Sequence, residues 1–109
     1  DPQKDKQLST FYYYEIIYYA KNATDKILII LNNPQNYINS RYKNDAIDLF
    51  RIKNICNILV EISKFIEQKK WLICIDQKMI PYMQHQIALL NRDIYSACDK
   101  CDGLIDNSD

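Results

Sequence analysis

Pro81-Tyr82-Met83-Gln84-His85-Gln86-Ile87-Ala88-Leu89-Leu90-Asn91-Arg92-Asp93-Ile94-Tyr95-Ser96-Ala97-Cys98-Asp99-Lys100-Cys101-Asp102-Gly103 is the stretch whose reading decides the fold. Proline suits the first turn of a helix, where its missing N–H is no loss, and glycine suits the residue just past the end. Between these marks Met83, Ile87, Leu90, Ile94, Ala97 and Cys101 recur at three- and four-residue steps and so share one face. His85, Arg92, Ser96 and Asp99 form the opposite stripe. The pattern predicts an amphipathic helix of about 22 residues, roughly 33 Å long.

Working upstream, Leu49, Ile52, Cys56, Leu59, Ser63 and Ile66 form a second seam, widened by Phe50, Ile55, Ile58, Val60, Ile62 and Phe65. Its polar stripe (Arg51, Asn54, Glu61, Lys64, Gln68) is narrow, and a helix apolar over most of its circumference is expected at the centre of a core. Asn44 is the expected cap. No glycine or proline separates this helix from Trp71-Leu72-Ile73-Cys74-Ile75, so pattern alone permits one helix from Asp45 to Lys78. On such a helix Cys56 and Cys74 would stand about 27 Å apart. Cys98 and Cys101 are neighbours, and a disulfide needs Cα atoms within about 7 Å. If two disulfides form, all three pairings require a turn between Phe65 and Leu72, and the basic pair Lys69-Lys70 suits a helix C-terminus. A short helix is expected from Trp71 to Lys78.

The first helix is expected to be capped by Ser9 or Thr10. Tyr12, Ile16, Tyr19, Ala23, Ile27, Ile30 and Leu31 follow the helical period, with Glu15, Asn22, Asp25 and Lys26 opposite. Asn33-Pro34 stops it. Gln35 to Lys43 reads as a polar connection in which Tyr37, Ile38 and Tyr42 can form a short helix. Residues 1–7 read as a loose arm and 104–109 as an acidic tail.

The expected fold class is therefore all-α: one domain of 109 residues, a small disulfide-stapled bundle of three long helices plus one or two short ones. A single glycine in the chain argues against hairpins and tight turns. Fourteen basic residues balance fourteen acidic ones, so there is no electrostatic footprint for nucleic acid. The longest aliphatic run, Ile27 to Leu31, is far short of the ~20 residues that span a bilayer. The start at Asp1, without methionine or leader, fits a processed secreted chain or a trimmed one. Four cysteines fit two disulfides in an oxidising setting. The sequon Asn22-Ala23-Thr24 adds a possible glycosylation site at Asn22 on the polar stripe. A secreted, extracellular location follows.

Cys98-Asp99-Lys100-Cys101 has redox or metal spacing. A redox pair needs its first thiol near a helix N-terminus, where the dipole lowers its pKa. Here the pair stands at the C-terminal end beside Asp99 and Asp102, which oppose thiolate formation. A zinc site would need Cys56, Cys74 or His85 to join, and no second close pair exists. We therefore read the cysteines as cross-links and His85 as a surface residue, and expect no catalytic set, no metal and no cofactor. The chain is not expected to be an enzyme.

Seven of the nine tyrosines precede Lys43. Consecutive helical residues point about 100° apart, so one face cannot bury Tyr12, Tyr13 and Tyr14 together. With Tyr12 and Tyr19 in the core, Tyr13, Tyr14 and Tyr18 fall at the edge or outside. Tyrosine gives large contact area at low entropy cost, so these three are candidate protein-binding or self-association residues. A wide boundary packed against residues 36–43 is the competing reading. Five aspartates between Asp93 and Asp109, against Lys100, make an acidic end that can steer a basic partner.

In its size, its helical patterns, its Cys56, Cys74, Cys98 and Cys101, and Trp71 between the later helices, the chain resembles the albicin and anophensin family of mosquito salivary proteins over most of its length. The resemblance implies an inhibitor of host defence in blood feeding. Albicin-like members bind and stabilise the complement alternative-pathway convertase, and anophensin-like members block kinin-generating contact activation. The implied partner is a host plasma protein, and no motif carries a functional residue across. The rival function is a helical carrier of a small apolar ligand of the insect odorant type, although the six cysteines and CxxxC spacing usual there are absent.

Overall fold

In the computed structural model, residues 1–33 and 44–106 are described, with side chains from 49 onward in the second segment. They form α1 (Pro2–Asn32), α2 (Asn44–Glu67), two 3-10 turns (Lys70–Ile73 and Gln77–Met79) and α3 (Ile80–Asp106). The class is all-α, with no strand among the described residues. The expected short helix around Tyr37, Ile38 and Tyr42, and residues 107–109 of the acidic tail, lie outside them.

Helix α1 begins at the very start of the chain rather than at Ser9 or Thr10. The Asp1 carboxylate accepts from the Gln3 N–H at 3.1 Å, Pro2 occupies the first turn and Asp5 faces the positive end of the dipole. Residues 2–7, expected as a loose arm, are thus the first turns of a helix. Thr10 takes a different role. Its hydroxyl donates to the Lys6 carbonyl at 2.7 Å and accepts the Asp76 N–H at 2.9 Å, tying α1 to the connection before α3. At the other end Asn33 leaves the helix with extended backbone, as a residue before proline should.

The faces of α2 and α3 match the sequence pattern. Leu49, Ile52, Cys56, Leu59, Ser63 and Ile66 are buried, as are Met83, Ile87, Leu90, Ile94, Ala97 and Cys101, joined by Cys98. Helix α3 packs closely against both α1 and α2, which touch each other much less. It is therefore α3, and not α2 as expected, that lies at the centre. The molecule is a rod of 59 × 18 × 17 Å with a radius of gyration of 17.0 Å, well above the ~13 Å of a compact domain this long. Among the described residues Phe50, Ile58 and Phe65 of α2 remain at least half exposed.

On α1 the buried face is Ile17, Ala20, Thr24, Ile27 and Leu31. It keeps Ile27 and Leu31 of the expected face, but nearer the N-terminus it is turned by about one residue, near 100°, so that Tyr12, Ile16 and Tyr19 point outward. Small Ala20 and Thr24 let the backbones approach. Thr24 is fully buried at little cost because its hydroxyl donates to the Ala20 carbonyl at 2.7 Å. Burying two tyrosines would have needed partners for two phenolic groups.

Helix α2 ends inside the expected window. Lys69 adopts the left-handed conformation, φ 60°, and its N–H returns to the Ile66 carbonyl at 3.2 Å. The indole N–H of buried Trp71 donates to the same carbonyl at 2.9 Å. Lysine pays about 1 kcal/mol to sit where glycine is free, and Lys69 is exposed. Lys69→Gly should therefore stabilise the fold by about 0.5–1 kcal/mol, read as a raised urea midpoint; a lowered midpoint would show that the lysine side chain itself holds the turn. Gly103, expected just past the end of α3, instead lies within its last turn, since the helix runs on to Asp106.

Polar contacts fix the register of the rod. The Ser63 hydroxyl donates to Asn91 Oδ1 at 2.6 Å, and Asn91 Nδ2 donates to Glu67 at 3.2 Å. Lys53 pairs with Asp102 across α2 and α3, and Lys100 bonds Asn32 across α3 and α1. These pairs are partly exposed, so each contributes under about 1 kcal/mol.

Candidate functional site

Two constellations stand out: the aromatic rings of α1 and the thiols between α2 and α3. The ring geometry sorts the tyrosines. Tyr13 is half-buried and stacks on Phe65 of α2, centroids 6.3 Å apart with planes at 12°. Tyr14 stacks on Tyr82 of α3 at 6.3 Å and 16°. The hydrogen bond that the Tyr14 hydroxyl donates to Tyr82, together with the Tyr82 charge, raises the Tyr14 pKa. Of the three rings expected at a binding face, Tyr13 and Tyr14 thus join helices, and Tyr18 is the open one. The side of α1 facing away from the core carries Phe11 and Tyr12 in an edge-to-face pair (6.2 Å, 62°) and Tyr18 and Tyr19 in another (5.8 Å, 72°). These four rings are 50–65% exposed, and Leu8 beside them is 53% exposed. Phe11, Tyr12, Tyr19 and Leu8 were missed as candidates because the helical period on α1 was read one residue out of phase.

Asn22 does not stand on an open polar stripe. It is half-buried along a cleft of about 300 Å³ between α1 and α3, with Tyr14, Tyr18, Tyr82 and Gln86, and Thr24 of the sequon is fully buried. A glycan on Asn22 would cover that cleft. His85 is exposed on α3. A larger cleft, about 470 Å³, lies where Gln3, Lys6 and Gln7 meet Asp76, Gln77 and Lys78.

The packing of α2 on α3 brings three of the four cysteines together. Cys56 and Cys101 are fully buried and Cys98 is 8% exposed. The Cys98 thiol donates to the Cys56 carbonyl at 3.7 Å, and the Cys101 thiol donates to the Leu49 carbonyl at 3.6 Å. All four cysteines are unpaired thiols in the structure. Burial, reinforced by Cys98, pushes the Cys56 thiol up to about 12. Burial also raises Cys98 and Cys101, with Lys53 opposing and Asp102 assisting. These thiols stay protonated near neutral pH, which is unsuited to nucleophilic chemistry. Among the described residues no group of three His, Cys, Asp or Glu is arranged to hold a metal ion.

Cys74 stands apart. Its thiol donates to the Lys70 carbonyl at 3.6 Å, at the end of the rod where α2 turns back. From Ile80 to Cys98, α3 runs 18 residues, about 27 Å. The two expected disulfides are thus not seen: no two cysteines stand at bonding distance, and the turn at Lys69 brings α3 back along α2 but leaves Cys74 at the far end. Among the described residues no helix is long and apolar enough to cross a membrane. No family model matches the chain, and neither a curated protein nor a solved structure matches it.

Proposed function

We propose that the chain is a secreted, non-enzymatic binding protein whose contact face is the outer side of α1. The observation that carries this reading is the pair of exposed aromatic couples, Phe11–Tyr12 and Tyr18–Tyr19, on the side of the helix opposite the core. Large apolar area left bare on a small domain marks an interaction surface, and tyrosine supplies contact area with few rotamers to freeze. The acidic end of α3, with Asp99 and Asp106 exposed, adds attraction for a basic partner. The specific partner we propose is a host plasma protein, a component of the complement alternative pathway or of contact activation, as the resemblance to salivary inhibitors implies.

Affinity capture from plasma tests this. The wild-type chain should retain a plasma component saturably and slow complement or contact activation. Tyr12→Ala with Tyr19→Ala should weaken that binding by about 30-fold or more, since two anchor rings at about 1 kcal/mol or more each give at least that factor. His85→Ala should leave it unchanged. Capture of nothing, with both cascades unaffected, would end the reading. The rival, a carrier of a small apolar ligand, would use a cleft such as the one between α1 and α3, and lipid retained in native mass spectrometry would favour it.

A further inference from the structure

We propose that the internal covalent chemistry of this chain is a single cross-link between α2 and α3, formed by Cys56 with Cys98 and passing to Cys101 only when Cys98 is removed. Cys56 is the common neighbour. The Cys98 thiol rests 3.7 Å from the Cys56 carbonyl, whereas the Cys101 thiol rests 3.6 Å from the carbonyl of Leu49, seven residues earlier on α2. Cys98 and Cys101 are buried with Cys56 where α2 packs on α3, but one sulfur can bond only one of them. No two cysteines stand at bonding distance in the structure, so closing the bond brings the two sulfurs together by movement of both side chains and of the helices that carry them. Cys74 precedes Ile80, the start of α3, which is itself about 27 Å along that helix from Cys98, and takes no part.

The redox step uses a low-molecular-weight disulfide such as oxidised glutathione. During folding, before burial withholds the thiols, the Cys98 thiolate attacks it, forming a mixed disulfide and releasing one glutathione thiol. The Cys56 sulfur then gives up its proton and attacks the Cys98 sulfur, forming the Cys56–Cys98 bond and expelling the second glutathione thiol. Two protein thiols are oxidised and one glutathione disulfide is reduced to two thiols. The product joins helices that otherwise meet through Ser63–Asn91 and Lys53–Asp102, and so locks their register.

Trypsin cuts after Lys53, Lys64, Lys70, Lys78, Arg92 and Lys100, which puts each cysteine in its own peptide. The chain is unfolded in urea, so that burial withholds no thiol, refolded in a mixture of reduced and oxidised glutathione, alkylated and digested. We expect a protein lighter by two hydrogens, apart from any glutathione adducts, with peptide 54–64 linked to 93–100 and Cys74 outside any internal bond. Cys98→Ser should move the link to peptide 101–109, and the linked wild type should melt on the order of 10 °C above the reduced form. Four free thiols under these conditions, a dominant link between peptides 93–100 and 101–109, or an internal link to 71–78 would each overturn the proposal.

Discussion

Replacing Trp71 with alanine should destabilise the fold by about 3–5 kcal/mol, the largest effect of any single side chain in the turn region. Trp71 is 4% exposed, and its indole shares the Ile66 carbonyl with the Lys69 N–H. It thus fills the corner between α2 and α3 and satisfies the end of α2 at once. Truncation removes the ring and leaves the turn to Lys69, which holds a strained backbone. A cleft of about 300 Å³ already borders the ring beside Ile66 and Ile87, so water can enter the space left, which favours the lower half of the range. Against a total stability of 5–15 kcal/mol, a loss of 3 kcal/mol lowers the melting temperature by about 12 °C or more. Trp71→Phe separates the two roles. It keeps most of the ring and loses only the donor, while Ile66 retains Lys69, so it should cost about 1 kcal/mol. Thermal melts followed by circular dichroism decide this, and a loss below 1 kcal/mol for the alanine variant would mean that the backbone turn holds without the ring.

The turn also shows how an expectation can be right for a reason that the molecule does not use. Sequence reasoning put a break between Phe65 and Leu72 because two disulfides seemed to require Cys74 near Cys56. The break is there, yet it is made by a left-handed lysine and an indole, and it leaves Cys74 on its own. Helix α3 was legible because polar residues confine its apolar stripe, and on α2 the heptad seam stood out despite a narrow polar stripe, with even Ser63 marking it correctly. Its hydroxyl finds Asn91 in the interior, a partner no local pattern reveals. Helix α1 was misread because between Phe11 and Tyr19 aromatic and aliphatic residues stand on several sides of it. With Tyr12, Ile16 and Tyr19 competing against Ile17, Ala20 and Thr24, periodicity is satisfied by either phase. What separates them is the space between packed backbones, which favours alanine and threonine over phenols. The candidate face followed that error: the tyrosine cluster was visible, but which rings are open depends on a rotation of one residue. The start of α1 carried a readable signal in Asp1-Pro2 with Asp5, obscured by alternating charges that resemble a solvated arm.

The second large effect concerns alkaline pH. A cysteine in an unfolded chain loses its proton near pH 8.5, whereas Cys56 in the fold holds it up to about 12. Below pH 8.5 both states carry the neutral thiol, and the burial of Cys56 contributes its full stabilisation. Above it the unfolded state gives up the proton and the folded state does not, so stability falls by about 1.4 kcal/mol per pH unit until the folded thiol ionises too. Between pH 9 and 11 Cys56 alone should remove about 2 kcal/mol. Cys98 and Cys101, also raised by burial, act in the same direction. In urea titrations with reductant present, the midpoint should hold steady from pH 7 to 8 and drop steeply by pH 11. Lysines and tyrosines also titrate in this range, and Cys56→Ala isolates the thiol. That variant starts less stable at pH 7 because it leaves a small cavity, but it should lose less stability per pH unit above 9 than the wild type. An equally steep loss in Cys56→Ala would assign the alkaline sensitivity to surface charge, and would mean that the thiols between α2 and α3 are more solvated than their burial implies.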